Sequence, residues 1–130
     1  RNLNNLNKAI DIFSKNFKKY TSLRSVTKMS ETSFKTFCIE SNKLKSVISK
    51  SFNADNANKP KEMFPETYSG DGYLDIIKTK LIKKNQLHGN AVLPFLHDDI
   101  CVDIDYPHDL IYTKFVLKNY KYFKPNHESK

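Results

Sequence analysis

The chain is poor in several residue types, and each shortage excludes a class of protein. It has only two cysteines, Cys38 and Cys101, which are too few and too far apart for a disulfide framework or a zinc site. Its apolar runs are only a few residues long, which excludes a membrane-spanning helix. Because nothing requires an oxidising compartment, we expect a cytoplasmic protein with both thiols reduced.

Arginine is also scarce, although the chain is basic with a formal net charge of +8. Only Arg1 and Arg24 are present, and specific base readout depends largely on arginine, so nucleic acid is disfavoured as a partner. Residues 1–65 carry 13 Lys and Arg against 5 Asp and Glu, whereas residues 66–130 carry 9 of each. The basic half either attracts an anion, such as a nucleotide or a sugar acid, or is a lysine-rich surface that maintains solubility.

What the chain does contain is enough apolar and aromatic material for one domain or part of one. Apolar residues spaced three and four apart predict a helix to about residue 19, and a second stripe predicts one from Pro107 to about Tyr120. A short helix is predicted at 78–84 and a long loop at 49–70. The predicted strands are 23–29, 34–39, 44–48, 72–77, 91–96 and 100–104. This alternation of strands and helices predicts an α/β fold.

The segment VDIDYPHDL at 102–110 is the sharpest chemical feature. In a strand, alternation sends Asp103 and Asp105 to one side, at the carboxyl end of the strand and just before the helix at Pro107. Ligands bind at that edge of open α/β sheets, and two carboxylates there are a candidate Mg²⁺ site. The alternative is that Asp105 or Asp109 caps the helix.

A second segment, FPETYSGDGYLDI at 64–76, holds two of the three glycines directly before a predicted strand. Gly70 and Gly72 permit either a positive φ with close approach to a ligand or an ordinary tight turn. Asp71 and Asp75 either contact sugar hydroxyls or face solvent.

Two lysines occupy unusual places. Lys35 lies in an otherwise apolar predicted strand, and Lys61 lies in the long loop. Each either extends its ammonium group to water or meets an anionic partner. The histidines have no metal-ligand spacing, and the chain contains no glycine-rich phosphate loop.

The order of five segments resembles the later part of the acylneuraminate cytidylyltransferases, over roughly residues 1–118. The segments are RNLNNLNKAIDIF, SVTKMSETSFKTF, FPETYSGDGYLDI, LHGNAVLPFL and VDIDYPHDL. The family comprises CMP-sialic acid synthetases and relatives that act on other nonulosonic or Kdo-type sugar acids. The resemblance implies a Rossmann-like nucleotide-diphospho-sugar transferase sheet with an antiparallel dimerisation hairpin at 34–50. It also implies a Mg²⁺-dependent reaction of CTP with a sugar acid, which gives a CMP-sugar and pyrophosphate.

The resemblance also implies roles for particular residues. These are metal binding by Asp103 and Asp105, catalysis at the anionic substrates by Lys35 and Lys61, and substrate binding by Asp71, Gly72, Asp75 and Arg1. Sialate-specific members often carry an aromatic residue at the position of Asp75, so we expect a different sugar acid.

The family's phosphate loop and cytosine site are not found in these residues. We therefore expect residues 1–120 to be the carboxyl-terminal part of one cytidylyltransferase domain, inactive alone and homodimeric, with a polar tail at 121–130. The alternative hypotheses are a basic, non-enzymatic binding module and a dimerisation module.

Overall fold

The computed structural model describes residues 2–48 and 53–123, which divide into two compact units. The first unit contains residues 2–26 and 70–123, and the second contains residues 27–48 and 53–69. The helices are α1 (Leu3–Lys15), α2 (Ala54–Ala57), α3 (Thr79–Ile82), α4 (Pro107–Lys118) and α5 (Tyr120–Phe123). The strands are β1 (Ser22–Lys28), β2 (Phe37–Glu40), β3 (Lys43–Ser46), β4 (Tyr68–Ile77) and β5 (Val92–Phe95).

The first unit is built on a small mixed sheet with the strand order β4–β1–β5. β1 and β5 are parallel, with Ser22 opposite Val92 and Ser25 opposite Phe95. Pro94 is tolerated because β5 is at the edge of the described sheet, where a missing N–H breaks no ladder. The α/β class is therefore confirmed, whereas the Rossmann-like sheet stays a prediction, since many α/β folds contain three such strands.

Helix α1 forms the core by packing one face onto this sheet. Ala9 and Phe13, four residues apart and so on the same side of the helix, are buried against Leu23 of β1 and Phe95 of β5. The helix begins where the Asn2 side chain accepts a hydrogen bond from the backbone N–H of Asn4 at 2.9 Å. The predicted helix is confirmed, although it ends earlier than expected.

The second unit contains the predicted hairpin. β2 and β3 are antiparallel, with Phe37 opposite Ser46 and Glu40 opposite Lys43. The two turn residues, Ser41 and Asn42, have φ angles of 51° and 61°, which is typical of the type I′ turns that close two-residue hairpins. The predicted hairpin at 34–50 is thus confirmed within the described residues, and positions 49 and 50 lie outside them.

Several predicted elements differ from the structure in their bounds or content. The predicted strand at 34–39 begins at Phe37, because a turn of 3₁₀ helix at Ser33–Lys35 precedes it. The loop predicted at 49–70 contains α2, a 3₁₀ turn at Lys61–Met63 and the start of β4. The polar tail begins in α5, and residues 124–130 lie outside the described residues.

The strand predicted at 100–104 is wrong, because that segment has no strand structure. It follows two aspartates that are held by the beginning of α1. The Asp98 carboxylate accepts a hydrogen bond from the Asn5 side chain at 3.0 Å, and Asp99 accepts one from the backbone N–H of Asn2 at 3.0 Å. These side-chain hydrogen bonds anchor the segment without a strand ladder. None of the described helices has the length and apolar character needed to cross a membrane.

Candidate functional site

The Asp103 carboxylate lies against the backbone of Gly72. Gly72 has a φ of +66°, and a Cβ atom placed on it would lie 3.1 Å from Oδ1 of Asp103 and 3.4 Å from Oδ2. Both residues line a cavity of about 500 Å³, together with Tyr73 and Asp99. Because the positive φ and the close carboxylate both require glycine, this contact is the centre of the candidate site.

A buried polar network fixes the strand segment that carries Gly72. The side chains of Asp71 and His97 are 4% and 2% exposed, and Nε2 of His97 lies 2.9 Å from Oδ2 of Asp71. Oδ1 of Asp71 accepts hydrogen bonds from the Ser25 hydroxyl at 2.5 Å and the Tyr73 backbone N–H at 3.0 Å. Since a carboxylate only accepts, Nε2 of His97 carries the shared proton, and its buried Nδ1 has no partner among the described residues.

Tyr73 connects that network to the cavity. Its ring stacks on the His97 ring with centroids 4.0 Å apart, and its hydroxyl donates a hydrogen bond to Asp99. Burial raises the pKa of Tyr73, and the bond to Asp99 adds to this effect. Burial also acts to raise the pKa of Asp99, but hydrogen bonds from Tyr73, Asn2 and Asn5 outweigh it and hold that pKa below its ordinary value. Asp99 is therefore an anion at the cavity wall that hydrogen bonds from the protein stabilise.

The second predicted metal ligand has a different environment. Both aspartates are exposed, but Asp105 is not among the residues that line the cavity. Its backbone N–H donates to Oδ2 of Asp109 at 3.1 Å, and the N–H of Tyr106 donates to the same oxygen at 2.8 Å. Asp109 thus caps α4, as one alternative predicted. Because the chain here is not a strand, alternation does not bring Asp103 and Asp105 to one side, and their shared Mg²⁺ site stays a prediction.

The predicted substrate-binding residues of the first unit lie in contrasting places. Asp71 is buried in the network described above, so its side chain is occupied by internal donors. Asp75 is exposed, and its carboxylate lies 3.9 Å from Nε of Arg24 on the neighbouring strand. Arg1 lies outside the described residues. A substrate contact of any of these three stays a prediction.

The two predicted catalytic lysines belong to the second unit. Lys35 ends a 3₁₀ turn and is half-buried, rather than lying in a strand. Lys61 is exposed and donates a hydrogen bond to the carbonyl of Ser30 at 3.3 Å. Lys61, unlike Lys35, lines a cavity of about 330 Å³ whose wall also carries Glu66. Their catalytic roles stay predictions.

Sequence reasoning missed the buried network. Ser25, Asp71 and His97 come from distant parts of the chain, so no spacing rule connects them. The only signal in the sequence was the alternation of β1, which puts Ser25 on the same side of the strand as Leu23 and so predicts a buried hydroxyl that needs a polar partner.

The carboxylate oxygens of Asp103 in the cavity are candidate ligands of a divalent cation. Among the described residues, no group of three or more His, Cys, Asp or Glu side chains is arranged to hold a metal ion. Mg²⁺ does not need such a group, because one or two carboxylates with water and phosphate oxygens complete its shell. The oxygens of Asp103, at the space that a Gly72 side chain would fill, are suited to that role.

No protein-family model and no curated protein matches this chain.

Replacing Gly72 by alanine should destabilise the first unit. The left-handed conformation costs a non-glycine residue about 1–2 kcal/mol, and the new Cβ would also press on Asp103. Gly70→Ala is the matched control, because its φ is not positive and its Cβ meets only the movable Arg24 guanidinium. Urea denaturation should show the larger loss of unfolding free energy for Gly72→Ala, and equal losses would contradict this role of Gly72.

The acid stability of the chain should depend on Tyr73. The pKa of Asp99 is lower in the folded chain than in the unfolded one, so ionised Asp99 stabilises the fold above about pH 4, and this contribution is lost as the pH falls through the folded pKa. Tyr73→Phe removes one of its donors and should flatten the fall in unfolding free energy between about pH 5 and pH 3. Tyr112→Phe, at an exposed tyrosine of α4, should keep the wild-type slope.

Proposed function

We propose that this chain provides the carboxyl-terminal part of a nucleotidyltransferase that activates a sugar acid with CTP. The observation that carries the proposal is the contact between Asp103 and Gly72 at the cavity. It joins the two parts of the chain whose resemblance to the acylneuraminate cytidylyltransferases is the most specific, the stretch 65–72 from proline to glycine and the segment VDIDYPHDL. Their separation by about 30 residues of chain makes this contact a property of the fold and not of local sequence.

The charge of the cavity supports a cation-assisted reaction. Asp99 and Asp103 make this wall acidic, and an acidic wall repels the triphosphate of a nucleotide unless a cation intervenes. Asp103, with Asp105 as the resemblance implies, would hold Mg²⁺. The bound ion would neutralise phosphate charge and favour departure of pyrophosphate.

In the proposed reaction the anomeric oxygen of the sugar acid attacks the α-phosphorus of CTP. A bond forms between that oxygen and phosphorus as the hydroxyl proton passes to water, and the bond from the α-phosphorus to the bridging oxygen breaks to release pyrophosphate. The chain's own contribution is positioning and charge stabilisation. Gly72 allows close approach of the sugar, while the Asp71–His97–Ser25 network keeps the Gly72 backbone in place.

Basic residues would meet the anionic substrates, as the resemblance implies for Lys35 and Lys61. A CTP phosphate and a sugar carboxylate both need cationic partners. Asp75 would contact a sugar hydroxyl, because its carboxylate is exposed and its one ion pair among the described residues is a long one, 3.9 Å from Nε of Arg24.

A second candidate function is dimerisation through the hairpin. Its alternation puts Phe37, Ile39 and Leu44 on one face, and all three are exposed, with Ile39 75% accessible. The other face carries charged residues, including the ion pair of Lys45 with Glu40. An exposed apolar face on a two-stranded ribbon favours an interface between two copies of the chain.

The nucleotide proposal predicts cooperative binding of a metal ion and CTP by this chain. Mn²⁺ is a paramagnetic substitute for Mg²⁺ and should selectively broaden the amide signals of Gly72, Tyr73 and Asp103. CTP should strengthen Mn²⁺ binding by about tenfold or more, because its phosphates complete the coordination shell.

Asp103→Asn should abolish this broadening, whereas Asp11→Asn, which changes an exposed carboxylate of α1, should preserve it. The proposed site would be contradicted if CTP did not change the Mn²⁺-induced broadening, or if Asp103→Asn still showed it. Circular dichroism of both variants checks that the fold is intact.

The dimer hypothesis predicts that Ile39→Lys weakens self-association by about tenfold or more, since a buried charge would replace a buried apolar side chain. Lys43→Gln, also in the hairpin, should leave self-association unchanged. Sedimentation equilibrium measures both, and a wild-type chain that stays monomeric at high concentration would refute the hypothesis.

A further inference from the structure

A second cavity of the first unit lies between α1 and the end of β4, away from Asp103. Its volume is about 430 Å³, and its walls are mostly apolar. Ile10, Phe13 and Phe17 recur at helical spacing along one side, and Ile76 and Ile77 of β4 form the other. Ile10 and Phe17 are more than half exposed, so this groove presents apolar surface to solvent.

One cationic side chain is buried in this groove. Lys78, at the start of α3, is only 9% exposed. Its Nζ donates a hydrogen bond to the Phe17 carbonyl and lies 4.2 Å from the centroid of the Phe17 ring. No carboxylate of the described residues forms an ion pair with Lys78.

This arrangement leaves the charge of Lys78 without an anion. A carbonyl and an aromatic face are partial acceptors, and an ammonium group offers three N–H donors. Burying a charge is costly unless it is paired, so an anion that entered the groove would gain a charge-assisted hydrogen bond from a side chain that is only 9% exposed.

We propose that this groove binds a monocarboxylate that carries an unbranched apolar chain. The carboxylate pairs with Lys78, and the apolar chain lies along Ile10, Phe13 and Ile76. The volume of the groove is within the range of small-molecule pockets, and the combination of apolar walls with one oriented polar group is typical of them. The proposed site does not use Asp103 or CTP, so it stands or falls independently of the proposed nucleotidyltransferase function.

The test uses octanoate as the anionic probe and 1-octanol as its uncharged counterpart, with the full chain and calorimetry. Octanoate should bind about tenfold or more tightly than octanol, because only octanoate forms the ion pair. Amide shifts caused by octanoate should be concentrated at Phe17, Ile77 and Lys78.

Three variants identify the responsible group. Lys78→Met should reduce octanoate affinity to that of octanol, Lys78→Arg should retain most of it, and Lys84→Met, at an exposed lysine, should leave it unchanged. Lys78→Met removes an unpaired buried charge, so its thermal midpoint should equal or exceed that of the wild type.

Equal binding of octanol and octanoate would overturn the proposal, as would unchanged octanoate affinity in Lys78→Met. The proposal would also be overturned if the amide shifts of the groove residues changed with protein concentration and not with octanoate concentration. Such shifts would mean that a second copy of the chain occupies the groove.

Discussion

The buried carboxylate of Asp71 connects all three strands of the sheet. Asp71 belongs to β4, Ser25 to β1, and His97 lies two residues beyond the end of β5, yet their side chains meet at the same two oxygens. Such a carboxylate is destabilising unless every oxygen is hydrogen-bonded, and here both are. Because Gly72 and Tyr73 directly follow Asp71, this polar junction also determines where the acidic wall of the cavity lies.

Local signals were sufficient to predict several elements of the fold. The spacing that includes Phe13 predicted α1, because the same residues that make a helix amphipathic form its buried face. The hairpin was implied by the family resemblance, and its turn falls on Ser41 and Asn42, which have the positive φ angles that a two-residue turn requires. The scarcity of glycine made Gly72 conspicuous, and its conformation explains why a glycine is found there.

Long-range polar contacts could not be predicted in this way. The apolar alternation at 100–104 satisfies the pattern of a strand, but a strand also needs a partner, and that requirement is not visible in the segment itself. Similarly, His97 looked unremarkable because its partner Asp71 is 26 residues away. The identity of Asp103 as a cavity residue was predicted, although the strand geometry used to argue for it was wrong.

The parallel pairing of β1 with β5 has a consequence for folding. The central strand β1 can pair with β5 only after about 70 further residues of the chain. This separation is the one between Thr21 and Ala91, which form a hydrogen bond directly before the two strands. Closing so large a loop lowers the conformational entropy of the chain before the stabilising contacts form. Folding is slowed as a result. Until residues 92–95 have been synthesised, one edge of β1 therefore has no β5 to pair with, and an unpaired strand edge is a place where wrong strand pairing can begin.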